Sequence, residues 1–143
     1  MPNTRKSAAK RRNGFTLVEL VVVVLVMGIV AAVAAPKMFD TAKDARISST
    51  GQSLGVIRDA IDMHLGATGT YPGQDGEQAT FLSDLEPFLR GPFPKNQLSA
   101  AAGDRSITIV SDGTPLAAGG AGDWKYDSTT GEIIINTTGF DTL

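Results

Sequence analysis

The sequence predicts an α+β fold in which one long N-terminal helix packs on a small antiparallel β-sheet. Three observations carry this. Residues 15–35 are an apolar run interrupted by one acid, Glu19. Residues 37–66 continue with apolar side chains at helical spacing. Residues 105–138 hold short alternating runs punctuated by glycine and aspartate, the mark of strands and turns.

The run from Phe15 to Ala35 has 21 residues, with Gly14 before it and Pro36 after it. At about 1.5 Å per residue it gives roughly 31 Å of helix, close to the thickness of a bilayer core. A carboxylate within such a helix costs about 2.5–3.5 kcal/mol when central and less near the interface. Glu19 lies about one turn from Phe15, so it either snorkels to the headgroups or finds a cationic partner. If the chain were cut after Gly14, Phe15 would gain an amine able to meet Glu19 of a neighbouring copy. Ahead of the run, Arg5, Lys6, Lys10, Arg11 and Arg12 stand with no acid among them. By the positive-inside tendency this end stays in the cytoplasm and the remainder is exported.

A basic leader, then Gly14-Phe15-Thr16-Leu17-Val18-Glu19, then an apolar helix with a proline, resembles the N-terminus of type IV pilins and of type II secretion pseudopilins. The resemblance implies cleavage by a prepilin peptidase between Gly14 and Phe15, N-methylation of Phe15, and a role for Glu19 in assembly. It divides the chain into a cleaved leader (1–14), a transmembrane and assembly helix (15–36) and an exported domain (37–143). It also implies an inner-membrane, single-pass protein with its C-terminal domain in the periplasm. The partners implied are the peptidase, other copies and other pilin-like subunits, the inner-membrane assembly platform and membrane lipid. Two other readings compete. Ala32-Val33-Ala34 offers a signal-peptidase site with cleavage before Ala35, and the run could be an uncleaved anchor of a monomeric binding domain. Against the first, Glu19 would sit inside the apolar region and Pro36 would fall near the cut; the second leaves Glu19 and the Gly14-Phe15 junction unexplained.

Within 37–143, Leu54, Ile57, Ile61 and Leu65 recur at spacings of three and four, so 37–66 reads as an amphipathic helix. Pro36 predicts a kink or break at its start. Gly66 or Gly69 can cap its end. Residues 67–104 read as loop and short helix. Phe81, Leu82, Leu85, Phe88 and Leu89 on Thr80–Leu89 form a satellite core, and Pro87 breaks the helix late. In the sheet region, 105–138, three or four strands are expected: Ser106–Val110, with Asp112-Gly113 turning after it, then Trp124–Tyr126 and Glu132–Ile135 around a glycine-containing loop. Tyr71-Pro72, Pro92–Pro94 and the Trp124–Ile133 hairpin are similar to the corresponding segments of pseudopilins.

Charge and composition narrow the chemistry. After Gly14 there are eight Lys and Arg against fifteen Asp and Glu, a net of −7, which argues against nucleic-acid binding through a basic face. There is no cysteine, which removes disulfides and thiolate chemistry. Pilins often carry a disulfide near the C-terminus, so its absence favours the pseudopilin branch of the resemblance. His64 is the lone histidine and reads as a surface or boundary residue, no serine sits in a nucleophile context, and an enzyme is not expected. The resemblance adds one metal expectation, a calcium site near the C-terminus. Asp112, Asp123 and Asp127 in glycine-rich loops are its candidates, against the plainer reading of solvated turn acids. No other cofactor is expected. The function implied is a structural subunit of a type IV filament-like assembly, a pseudopilin ahead of a pilus subunit.

Overall fold

The computed structural model describes residues 14–99 and 105–143. The basic residues at positions 5–12 lie outside the described residues. Three helical elements and three strands follow in order: α1 (Leu17–Thr68), α2 (Gln78–Leu85), the 3-10 turn η1 (Glu86–Phe88), β1 (Ile107–Val110), β2 (Trp124–Asp127) and β3 (Ile133–Ile135). By internal contacts the chain divides into two units, at 40/41.

In the first unit the helix opens behind Thr16. The Glu19 N–H donates to Thr16 Oγ1 at 3.3 Å and the Leu20 N–H to Thr16 O at 3.2 Å, which makes Thr16 the N-cap. Valine-rich helices are poor helix formers in water, but in lipid a helix is the way a lone segment satisfies its backbone. Every described residue through Asp40 is exposed. The helix runs on through Pro36, so the expected break is absent. Pro36 removes one N–H and its ring crowds the carbonyl of Ala32, a cost that membrane-spanning helices tolerate.

In the second unit burial on α1 starts at Thr50 and follows one stripe: Leu54, Ile57, Ala60, Ile61 and His64. His64, expected at the surface or boundary, is buried because it lies three and seven residues beyond Ile61 and Ile57, on the stripe itself. The helix stops at Thr68, where Gly69 takes φ +79° and its N–H donates to Leu65 O at 2.8 Å.

The stripe packs with Phe81, Leu85, Phe93, Ile107, Trp124, Tyr126, Ile133 and Ile135. The aromatic segment expected as a satellite is part of this core. The Phe81 ring lies 4.5 Å from that of Tyr126 and 6.0 Å from that of Phe93, which in turn meets Trp124 edge-on at 6.5 Å.

The sheet has the order β1-β2-β3 and is mixed. β2 and β3 pair antiparallel, as expected for a hairpin, closed by Gly131 at φ +77° and by Gly131 N–H to Asp127 O at 2.8 Å. β1 pairs parallel to β2, from Ile107↔Trp124 to Val110↔Asp127, which corrects the all-antiparallel expectation. The reason is the connection. Residues 111–123 are long enough to return the chain to its starting end, whereas the Asp112-Gly113 turn alone would have made a hairpin. Two buried polar side chains tie loops to this frame. Asn96 donates to Asp123 O at 2.9 Å and Thr137 Oγ1 at 3.3 Å while accepting from Leu98 N–H at 2.9 Å. Thr50 accepts from Gln97 N–H at 3.1 Å.

Candidate functional site

The first site is the start of α1. Gly14, Phe15 and Thr16 are outside the helix and exposed, so the Gly14–Phe15 bond is held by no helical hydrogen bond. A Cβ built on Gly14 would meet nothing within 4 Å, so no contact among the described residues demands a glycine there. Glu19 sits in the first turn, three residues after the Thr16 cap, where the helix dipole favours a carboxylate. Its side chain is exposed, as are Phe15, Leu17 and Val18 beside it. Behind it the apolar residues as far as Val33, with Met38 and Phe39 beyond, are all uncovered. α1 is long and apolar enough in this part to cross a membrane, and none of that stretch is buried by its own chain. Patches of this size on a protein surface mark contact with lipid or with other proteins.

The second candidate is the trio of aspartates. Asp112 is exposed, and its Oδ1 accepts from both Thr114 N–H (3.0 Å) and Thr114 Oγ1 (2.9 Å). Those two bonds, the backbone one foremost, hold its carboxyl below the usual aspartate range. Asp123 and Asp127 are buried, and each leaves Oδ2 without a hydrogen-bond partner, while Asp127 Oδ1 accepts from Thr129 N–H at 2.7 Å. Asp123 immediately precedes β2 and Asp127 ends it, four residues and roughly 13 Å of extended backbone apart. A calcium ion gathers six to eight oxygens at about 2.3–2.6 Å. The two aspartates lie beyond the span of one ion, and among the described residues no three His, Asp or Glu side chains converge. The donor set therefore does not fit a shared calcium ion.

His64 offers no catalytic geometry. Its Nδ1 lies 3.1 Å from Thr70 O and 3.3 Å from Thr68 Oγ1, and its ring meets Phe88 edge-on. The Tyr126 phenol, whose pKa burial pushes well above the ordinary value, donates to Pro72 O at 3.2 Å. One feature at the first site was not singled out in the sequence: Thr16 as the cap. Its signal was legible as Thr16-x-x-Glu19, a capping-box spacing before an apolar run.

Residues 9–35 match the family model described as the prokaryotic N-terminal methylation motif. The chain is 32% identical over 88 residues to the type II secretion system core protein G of Pseudomonas aeruginosa, covering 61% of this chain and 59% of that one. It is 36% identical over 69 residues to the fimbrial protein EcpB of Eikenella corrodens, covering 46% and 43%. It is also 31% identical over 114 residues to a type IV major fimbrial protein FimA of Dichelobacter nodosus, covering 78% and 68%. The first two of these matches span about half the length of the relatives concerned. No solved structure matches significantly. With the methylation motif on the uncovered helix start, an α+β domain behind it and a fimbrial relative matched over most of its length, the chain belongs to the type IV pilin-like family.

Proposed function

We propose that the chain is a structural subunit of a type IV filament-like assembly, a type II secretion pseudopilin. In this reading a prepilin peptidase cuts between Gly14 and Phe15, and the new Phe15 amine is methylated. The precursor waits in the inner membrane with its basic end in the cytoplasm and residues 37–143 exported. Other copies then cover its apolar helix. The observation that carries the reading is the uncovered stretch from Phe15 to Val33, headed by Gly14-Phe15 and bearing one acid.

Each part has a physical role. A glycine before the cut fits a peptidase pocket that a larger side chain would not enter. The freed amine is a cation one turn from the acid position, and in a bundle of copies it meets a neighbour's Glu19. Such a buried pair fixes register more than it adds stability, since desolvation offsets much of the Coulomb gain. Packing of the apolar helix supplies the holding energy. The chain performs no catalytic step of its own.

The similarity to a type II secretion protein and the absence of cysteine support the pseudopilin reading. A pilus subunit is the second reading, favoured by the FimA match over 78% of the chain. Deleting the gene separates them: loss of protein export with surface pili intact fits the first, loss of pili with export intact fits the second. The filament reading common to both is tested with Gly14→Leu. It should accumulate as an uncleaved membrane precursor absent from sheared or induced filaments, and a Leu variant that is cleaved and incorporated normally would contradict the reading.

A further inference from the structure

The sheet poses a question that the filament reading leaves untouched. Along β2 and β3, Trp124, Tyr126, Ile133 and Ile135 face the core, so alternation sends Lys125, Asp127 and Ile134 to the other face. That face should be wet. Yet Asp127 is 0% exposed and Ile134 only 3%. The β1–β2 crossover, residues 111–122, is bonded to side chains of that face, at Lys125, Glu132 and Asn136.

We propose that this crossover is a strap, fastened over the outer face of the sheet by the chain's own side chains and held closed without a divalent cation. Asn136 is the main fastener. Its Oδ1 accepts from Gly119 N–H at 2.7 Å, and its Nδ2 donates to Ala121 O at 3.0 Å and Gly122 O at 2.9 Å. Two charged side chains hold the middle: Lys125 Nζ donates to Ala117 O at 3.0 Å, and Glu132 Oε2 accepts from Leu116 N–H at 3.0 Å. Bonds with one ionised partner are the stronger kind. At the exit, Thr108 Oγ1 donates to Ala121 O, and Gly122 lies against β1 so closely that a Cβ would stand 2.9 Å from Thr108 Oγ1. Gly122 also has φ +92°, where an L side chain is strained.

The strap thus crosses from β1 to β2 and is pinned to Thr108 on β1, to Lys125 on β2 and to Glu132 and Asn136, the two residues that flank β3. Polar groups on the strands satisfy the backbone of a glycine-rich loop whose composition would otherwise leave it open. The absence of a shared cation position among Asp112, Asp123 and Asp127 follows from the same layout, because the space over β2 is spanned by backbone bonded to Lys125 and Asn136.

The test is limited elastase digestion of the full chain in detergent, with cuts mapped by mass spectrometry and Trp124 fluorescence reporting whether the core stays folded. Wild type should be cut within 111–122 at the same slow rate in excess calcium and in EDTA. Asn136→Ala, which removes three hydrogen bonds, should raise that rate on the order of tenfold in both buffers. Should Asn136→Ala lose native fluorescence, Lys125→Met removes a single tether, and a rise of roughly fivefold is expected. Protection of wild type that vanishes in EDTA and returns with calcium would overturn the proposal. So would a folded variant cut no faster than wild type. Neither outcome bears on whether the chain is cleaved after Gly14 or joins a filament.

Discussion

Gly131 is the sharpest test of how the second unit is packed. It closes the β2–β3 hairpin at φ +77°, and the ring of Tyr71 lies directly over it. A Cβ there would stand 2.7 Å from Tyr71 Cδ1 and Cζ and closer still to Cε1. Gly131→Ala therefore meets two penalties. The left-handed backbone costs an L residue about 1–2 kcal/mol. Driving the ring aside is overpacking, which costs about 1–3 kcal/mol. The total, about 2–5 kcal/mol, is a large part of the 5–15 kcal/mol that holds a typical domain together.

Gly113 supplies the control. It has φ +70°, but its nearest atom is Thr129 Cγ2 at 3.7 Å, so Gly113→Ala should show the backbone penalty alone. Urea unfolding followed by Trp124 fluorescence measures both. Adding Tyr71→Ala to Gly131→Ala should recover part of the loss, a non-additivity expected of touching residues. Equal losses for the two alanine variants would refute the stacked Tyr71–Gly131 contact.

Other outcomes follow from the same physics. Asn96→Ala strands two acceptors and one donor in the interior and should lower stability by about 2–4 kcal/mol in urea titration. Tyr126 is held neutral by burial, so its contribution is complete below the ordinary tyrosine value of 10.0 and is lost as pH rises from there toward its raised folded value. Tyr126→Phe should flatten that alkaline loss while costing about 1 kcal/mol at neutral pH, and an unchanged alkaline limb would speak against the burial. Glu19→Ala should be cleaved like wild type but recovered in filaments at a small fraction of the wild-type amount; normal incorporation would show the ion pair to be unnecessary.

Much of the fold was legible because its signals are local. The apolar run, the Leu54–Ile61 stripe and the Trp124–Ile135 hairpin with its glycine each depend on side chains a few residues apart. What the sequence did not disclose is longer in range. The parallel pairing of β1 depends on where residues 111–123 carry the chain, and the Asp112-Gly113 turn pointed to the opposite answer. His64 looked polar enough for the surface, although its spacing put it on the buried stripe. Phe81 read as the heart of a separate cluster because its partner Tyr126 lies 45 positions away. At the candidate sites the contrast is similar. Gly14, Phe15 and Glu19 sit within six residues and form a string, whereas the three aspartates were grouped by composition, and Asp112 follows β1 while Asp123 and Asp127 lie at the two ends of β2.

The central claim is that a single cut behind the basic end turns a membrane-held precursor into an assembling subunit. N-terminal sequencing of the protein recovered from cells that express it with its native export machinery tests this most directly. The account predicts a chain beginning at Phe15 with a methylated amine. A chain still beginning at Met1 or Pro2, or one trimmed to Ala35, would contradict it.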